Sequence, residues 1–586
     1  MELRTLLASG IDREREKDGY LGEGKKEVSR DVQKRRRKAM SLQPQKLPEV
    51  PEGTARLAKS LYPKGNKYMW LRDELDAIYE DEQFLALYPE SGQYAEQPWR
   101  LAMMSVIQYM ENYTDRQACE AMKDRIALKY ALSLEMDDLG FHFSVLSEFR
   151  DRLIEGGLED AILTKLLDIC REKGLLKERG KQRTDSTHVE AAIRLTNRIV
   201  LVGESLRAAL NSLAVVVPDW LRKHVPREWY DRYEKRMEDF HFPKEASKFV
   251  PMIEQIGRDG SDLLKWVREA DAPIWLREIP AVETLRLVWI QQFYEEEGKI
   301  SHRSNDNTPP ASKLIASPYD REARLSVKRD TEWTGYKVHL TETCDNDLPH
   351  LITNVETTEA TKQDMEMTGA IHQALDSKQL LPDEHFVDTG YVDGEHLNTS
   401  EKRYGIDLIG PVALNPSWQA KDPQAYDNSK FSIDWENEIV TCPEGKTSKK
   451  WTIKPKEKGQ EAIVARFGEK DCKACHARLL CTHSAVHPRQ IALRPKEQHE
   501  AIQAARNRQT TKEFQERYAK RSGIEGTISQ GVRAFDLRAS RYIGLKKTHL
   551  QHVLIATAMN VSRLFQWQME DTPFQPRISR FAALAA

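Results

Sequence analysis

The sequence predicts an α/β protein: a mixed sheet covered by helices, with a helical N-terminal domain, a helical insertion and a strand-rich insertion. Three observations predict this fold class. Residues 181–193 show a strand pattern, and residues 334–411 show hairpin, helix, strand, helix and strand patterns in turn. Residues 70–178 and 198–300 carry apolar positions at helical spacing. Residues 412–500 hold short alternating runs and a cluster of cysteines.

Size and composition predict a soluble chain of several domains. Its 586 residues correspond to roughly three or four domains. We find no apolar run of about 18 residues and no secretory signal, so we expect a cytoplasmic protein without membrane spans. The net charge is only -2, so a nucleic-acid partner would have to contact local basic segments.

The N-terminal third divides into two predicted parts. Residues 1–65 are charged and then proline-rich, which predicts a poorly structured basic arm. Residues 66–178 predict a helical domain, with a cap signal at Thr114 and a helix that starts near Ser144. Helical periodicity fits a DNA reader as well as a dimerisation bundle. The arm contains a basic run, which is either a solvated face or a phosphate contact: Lys34, Arg35, Arg36, Arg37 and Lys38.

The predicted sheet core draws its strands and helices from residues 179–197, 325–411 and 501–570. The segment KQRTDSTHVEAAI reads as a strand that carries Asp185, and EHFVDTGYVDG contains a strand that ends at Asp388. TGYKVHLTETC and LPHLITNVETT form a hairpin between them. Residues 198–324 predict a helical insertion whose tryptophans form its core or a platform for bases. Residues 412–500 predict the strand-rich insertion.

Asp185 and Asp388 each lie in or at the end of a buried strand, and each is followed by small residues. If the two strands are neighbours, both carboxylates face one spot, where they repel unless a cation lies between them. Carboxylate oxygens with open positions suit Mg²⁺ or Mn²⁺. We therefore expect a third carboxylate from an element packed on the sheet.

Glu525 is the predicted third carboxylate. Tyr518 and Arg521 precede it by seven and four residues, which puts an acid, a guanidinium and a phenol on one helical face. Such a face can bind a metal and hold a phosphate through two hydrogen bonds. Three other acids are alternatives for this role, but none of them has both an arginine and a tyrosine at the same helical spacing: Glu513, Glu516 and Asp536.

The cysteine cluster follows the spacing C-x29-C-x2-C-x5-C. Its members can form a tetrahedral structural zinc site or can pack a small module as reduced thiols. His476 and His483 lie close enough in sequence to replace one of them. The four cysteines are Cys442, Cys472, Cys475 and Cys481.

Several segments resemble the motifs of bacterial insertion-sequence transposases of the Asp-Asp-Glu type: RTDSTHV, WTGYKVHLTET, HFVDTGYVDG and YAKRSGIEG. SVLSEFRDRL also resembles the helical domain at the front of such proteins. The resemblance implies a ribonuclease H-like core, in the branch that has a strand-rich insertion between the second Asp and the Glu. It also implies that Asp185, Asp388 and Glu525 are a triad that binds two Mg²⁺ or Mn²⁺ ions.

The resemblance further implies a function. The protein would bind the terminal inverted repeats of an element, cleave the ends and join their 3′-OH groups to target DNA. It would act on double-stranded DNA as a homodimer. A catalytically silent DNA-binding protein and a nuclease without joining are the alternatives. Where the family's motif has a lysine, seven positions after the Glu, this sequence has Val532, which is followed by Arg533. His188 either faces the site or has a structural role. Expected DNA contacts are Tyr518, Arg521, Arg533, Lys546, Lys547 and the basic residues 34–37.

Overall fold

A computed structural model describes residues 41–75, 78–193, 198–237, 246–328, 331–457 and 460–569, and Leu584. The predicted basic run at residues 34–38 lies outside the described residues. The described strands are β1 Arg179–Glu190, β2 Phe293–Glu296, β3 Lys299–His302, β4 Arg324–Lys328, β5 Thr331–Thr343, β6 Ile352–Glu359, β7 Pro382–Val387, β8 Asp407–Ile409, β9 Ser432–Asp434, β10 Ile439–Thr441, β11 Lys450–Glu457, β12 Gln460–Arg466 and β13 Gln490–Leu493.

A six-stranded mixed sheet forms the centre of the fold. β5 pairs antiparallel with β1 on one edge and with β6 and the short β4 on the other. β7 pairs parallel with β1, and β8 pairs parallel with β7. The strand order β6-β5-β1-β7-β8 therefore has antiparallel strands on one side of β1 and parallel strands on the other.

The N-terminal helices pack into one hydrophobic core with the sheet. Thr114 caps its helix through the backbone N–H of Gln117, as the sequence predicts. The first helix falls within residues 1–65, and Thr54 anchors it through a 2.8 Å hydrogen bond to the carbonyl of Leu134. These helices are α1 Glu52–Leu61, α2 Lys67–Glu74, α3 Pro98–Met110, α4 Asp115–Asp124, α5 Ile126–Ala131, α6 Phe143–Glu155 and α7 Ala161–Glu172.

The insertion between β1 and β4 has its own hydrophobic core, in which Trp229 and Trp289 are buried. Among the described helices, α8 is the one that is long and apolar enough to cross a membrane, and 61% of that stretch is buried within the protein. β2 and β3 form an antiparallel hairpin after the last helix of this insertion. Its helices are α8 Arg198–Val216, α9 Pro218–His224, α10 Arg227–Tyr233, α11 Ala246–Trp266 and α12 Pro280–Gln292.

The second insertion follows β8. It consists of a two-stranded ribbon of β9 and β10 and a three-stranded sheet of β11, β12 and β13. A separate small core forms around Phe431, Val440, Phe467 and Ile491. The helices from β6 to the end of this insertion are α13 Thr368–Ser377, α14 Gly394–Tyr404, α15 Trp418–Lys421, α16 Glu469–Lys473 and α17 Arg478–Cys481.

The C-terminal helices return to the sheet. The polar stretch from Gln503 to Val532 is not one continuous α-helix. Thr511 starts a new helix by accepting a hydrogen bond from the backbone N–H of Phe514, and a 3-10 turn at Ala519–Ser522 separates that helix from the next. The last helix lies between β6 and α3, and Trp70 donates to Gln568 near its end at 2.7 Å. These helices are α18 Lys496–Arg508, α19 Lys512–Tyr518, α20 Gly523–Phe535 and α21 Leu545–Met569.

A chain of buried polar side chains crosses the sheet next to Asp185. The hydroxyl of Thr184 lies 2.7 Å from His385 Nε2, and His385 Nδ1 lies 2.8 Å from His372 Nε2. Burial lowers the pKa of His372 to about 4 and lowers the pKa of His385 well below its ordinary value. Both imidazoles are therefore neutral in the folded protein at neutral pH.

This pair predicts a loss of stability in acid. An unfolded histidine has a pKa of about 6.5, so below that pH the unfolded chain binds protons that the folded chain does not. The free energy of unfolding should fall as the pH drops from about 6.5 toward 4. Thermal unfolding across this range checks it: His372→Gln should weaken the pH dependence, whereas the exposed His476→Gln should not. An unchanged dependence in His372→Gln would contradict the prediction.

Candidate active site

The two predicted aspartates lie side by side in the fold, Asp185 within β1 and Asp388 directly after β7. In the parallel pairing of β1 with β7, Thr184 lies opposite Val387, and the next residues are Asp185 and Asp388. Both line one cleft of about 570 Å³. The carboxylates therefore face the same space, as expected for acids carried by neighbouring strands.

Glu525 lines the same cleft from the first turn of α20. Arg521, in the turn just before this helix, connects it to the sheet. Arg521 Nη1 donates to Glu525 Oε1 at 2.7 Å, and Arg521 Nη2 donates to Asp185 Oδ2. The side chains of Asp185 and Arg521 are each 15% exposed, whereas that of Glu525 is 65% exposed.

A buried glutamate on β5, Glu342, fixes α20 against the sheet. Its carboxylate accepts hydrogen bonds from Arg183 Nε at 2.7 Å, from Thr527 Oγ1 at 2.6 Å and from Arg563 Nη1 at 2.9 Å. Gly523, at the start of α20, lies so close to the Arg183 guanidinium that a Cβ atom there would collide with it. The network therefore joins β1, β5, α20 and α21 directly behind the cleft.

Charges of both signs meet in the cleft. Burial raises the pKa of the Asp185 carboxyl, and the nearby Asp388 adds to this rise, while Arg521 opposes it. Lys328, Lys337 and Arg538 line the cleft as well. A cation between the acids would relieve their repulsion, and the basic side chains could contact the phosphates of a nucleic acid.

Two family models match the chain. The model described as Transposase DDE domain matches residues 441–565, and the model described as Transposase domain (DUF772) matches residues 57–152. Together these matches indicate an insertion-sequence transposase of the Asp-Asp-Glu type. The first match includes Glu525 and the four clustered cysteines. No curated protein and no solved structure matches the transposase.

The three competing acids lie elsewhere in the transposase. Glu513 is exposed on α19, and Glu516 pairs with Lys512 at 3.7 Å on the same surface. Asp536 ends α20 in a left-handed conformation and accepts a hydrogen bond from Asn112 of the N-terminal bundle. None of these acids is among the residues that line the cleft.

The two aromatic candidates differ in their surroundings. Tyr518 stacks on Phe514 with ring centroids 5.5 Å apart, and it packs against a small buried cluster that includes Phe386. Its ring therefore supports the end of β7, where Asp388 follows. His188 lines the cleft and lies 5.4 Å from the ring of Trp333.

Three further predicted DNA contacts that the structure describes lie outside the cleft. Arg533 is exposed on α20, and Val532 beside it packs against the main core, so an apolar residue suits that position. Lys546 and Lys547 are exposed in the first turn of α21. Lys547 pairs with Asp151 of α6 at 2.8 Å.

Sequence reasoning missed Lys337 and Asp364. Lys337 lies opposite His188 in the pairing of β5 with β1, and its Nζ donates to Asp364 Oδ1 at 2.8 Å. Asp364 also accepts from Ser186 Oγ at 3.2 Å, next to Asp185. The alternation in β5 could have indicated Lys337, because Lys337, His339 and Thr341 form a polar side of a strand whose other side is apolar.

The four cysteines line one small cavity of about 30 Å³ in the strand-rich insertion. Burial raises the pKa of the Cys481 thiol to about 11, and the other three thiols add to the rise. His476 and His483 do not line this cavity; His476 pairs with Glu444, and His483 stacks on Trp418 at 3.9 Å. Among the described residues, the one group of three possible metal-donor atoms within 4.8 Å of one another is at His224, Glu269 and Asp271. The sulfur atoms of the four cysteines are therefore farther apart than the donor atoms of that group.

Proposed function

We propose that this transposase cleaves DNA at the ends of an insertion sequence and joins the 3′-OH ends to target DNA by metal-dependent phosphoryl transfer. The observation that carries the proposal is the meeting of Asp185, Asp388 and Glu525 in one cleft. The strand order and directions of the central sheet support a ribonuclease H-like core built from residues 179–197, 325–411 and 501–570.

The donor set suits two Mg²⁺ or Mn²⁺ ions, because all three proposed ligands are carboxylates and hard cations prefer oxygen. Asp185, Asp388 and Glu525 would hold the ions. Bound there, such ions activate a water or 3′-hydroxyl and stabilise the leaving oxygen. The protein supplies the positioning: β1 and the end of β7 fix the two aspartates, and the Glu342 network fixes the helix that carries Glu525.

The other cleft residues would bind and orient DNA. Lys328, Arg521 and Arg538 line the cleft and can contact phosphates, which anchor a duplex in register without reading its sequence. We assign recognition of the terminal inverted repeats, or dimerisation, to the helical residues 66–178. Pairing of two ends calls for a homodimer on DNA. A chain of this kind would act in the cytoplasm, on the nucleoid.

The decisive experiment mixes the purified full chain with Mg²⁺, a labelled duplex that carries a terminal inverted repeat, and a supercoiled target plasmid. Cleaved ends together with labelled plasmid support transposition. Cleavage without joined product would indicate a nuclease. Retention of the duplex on a gel without either product would indicate a silent DNA-binding protein.

We also propose that Cys442, Cys472, Cys475 and Cys481 hold a structural Zn²⁺ ion, since four thiols around one cavity match the donor set of such sites. We expect about one zinc per chain in purified protein, and its loss in Cys475→Ser. Cys119→Ser, at a buried thiol of the N-terminal bundle, should keep the metal. Elemental analysis measures this, and a full metal content in Cys475→Ser would contradict the proposal.

A further inference from the structure

The Arg521 guanidinium occupies the space between two of the three proposed metal ligands. It donates to Asp185 Oδ2 through Nη2 and to Glu525 Oε1 through Nη1. Because Asp185 and Arg521 are each 15% exposed, their attraction is screened less than that of a surface pair. The guanidinium therefore already neutralises the carboxylates that a divalent cation would need.

Both oxygens of Asp185 are engaged in this arrangement. Oδ1 accepts from the backbone N–H of Ser186 at 2.8 Å, and Oδ2 accepts from Arg521. A magnesium ion needs direct oxygen contact at about 2.0–2.1 Å, and the guanidinium blocks that approach to Oδ2. Arg521 and a cation therefore compete for the same carboxylate.

One donor atom of Arg521 is unsatisfied, and a ligand that binds it could move the guanidinium away from Asp185. Its Nε atom is buried and has no hydrogen-bond partner among the described residues. A guanidinium has five N–H donors in a planar fork that matches the oxygens of a phosphate. Lys328 and Arg538 line the same cleft and would attract that phosphate. A DNA phosphate would thus give Arg521 the hydrogen bonds that its present position leaves unmade.

We propose that Arg521 is a positioning residue that closes the metal site until a DNA phosphate engages its guanidinium, so that binding of divalent cations and binding of DNA ends are coupled. This inference rests on the proposed function of the Asp185–Asp388–Glu525 site. Coupling is reciprocal, so bound cations strengthen the binding of a DNA end by the same factor by which DNA strengthens cation binding.

The test measures Mn²⁺ binding to the full chain by electron paramagnetic resonance, with and without a terminal-repeat duplex. The complex of Asp388→Ala with the same duplex gives the background from Mn²⁺ bound to DNA. Wild-type protein should bind Mn²⁺ roughly tenfold more tightly with DNA, within the range of ordinary coupled sites. Arg521→Gln should bind Mn²⁺ tightly without DNA, and DNA should then add little.

Lys402→Gln is the matched control. It also removes one positive charge and one ion pair, with Glu497 at 2.8 Å, but this pair lies on the surface outside the cleft. Its Mn²⁺ binding should follow the wild type. Equal wild-type affinities with and without DNA, or no gain in Arg521→Gln, would overturn the coupling while leaving the metal site intact.

Two further outcomes separate the coupling from the site itself. Absence of Mn²⁺ binding above background in every variant, even with DNA, would overturn both this inference and the proposed metal-dependent function. If Arg521→Gln does not fold, Arg521→Lys serves instead, because one ammonium cannot hold both carboxylates in the same way. That variant should show weaker coupling, and a coupling equal to the wild type would overturn the inference.

Discussion

Asp388→Ala should abolish end cleavage and joining, with a rate loss on the order of 1000-fold or more, comparable to the removal of a main electrostatic element from an active site. The carboxylate follows β7 directly beside Asp185, and we assign it to the metal ions of the reaction. Its removal leaves two acids, which cannot hold two ions in the geometry that in-line displacement needs. Single-turnover cleavage of a labelled duplex measures the loss.

Asp383→Ala is the control for this substitution. Asp383 lies near the start of the same strand, is exposed and pairs with Arg179 at 2.8 Å outside the cleft. An exposed ion pair of this kind contributes about 1 kcal/mol or less, so its loss should leave cleavage near the wild-type rate. Cleavage by Asp388→Ala at the rate of this control would remove Asp388 from the assigned triad.

Glu342→Ala should lower the free energy of unfolding by about 3–5 kcal/mol, as expected when one partner of a buried ion pair is removed. Glu342 is fully buried, and its loss leaves the guanidinium groups of Arg183 and Arg563 without their shared carboxylate. Thr527 loses its partner as well, so the helix that carries Glu525 loses its anchor. DNA cleavage should therefore fall together with stability.

Denaturant unfolding with a probe in the sheet, together with the cleavage assay, checks this prediction. Glu342→Gln keeps the shape and one acceptor oxygen, so its effect should be intermediate. Glu359→Ala breaks a more exposed pair, in which Glu359 of β6 lies 3.0 Å from Arg324 of β4, and should cost about 1 kcal/mol or less. A loss for Glu342→Ala no larger than this would show that the network does not fix the helix.

The sequence was sufficient to predict the strands that carry Asp185 and Asp388, because threonine and valine around Asp185 favour a strand and Asp388 directly follows the apolar pair Phe386 and Val387. The spacing of Arg521 and Glu525 predicted that they share one helical face, and the hydrogen bond between them agrees with this. These are local patterns, in which the chemistry of a few neighbouring residues limits the conformations that are accessible.

Other features of the site depend on contacts between distant parts of the chain. Glu342 gave no signal, because an acid in an alternating strand reads as solvent-exposed until Arg183 and Arg563 are known to surround it. The bridge from Arg521 to Asp185 spans 336 residues and has no local pattern. The hydroxyl of Thr511 is a typical helix-capping group, so the interruption could have been predicted there. The polar residues around Thr511 made this cap hard to distinguish from an ordinary polar helix position.

The position of α21 has a consequence for synthesis of the protein. This helix is the last described one, yet it fills the space between the N-terminal bundle and β6. A ribosome therefore releases the bundle and most of the sheet before the element that covers both has emerged. Chains that end before Leu545 therefore lack the helix that covers this core, and chains that end before Glu525 lack the third acid as well.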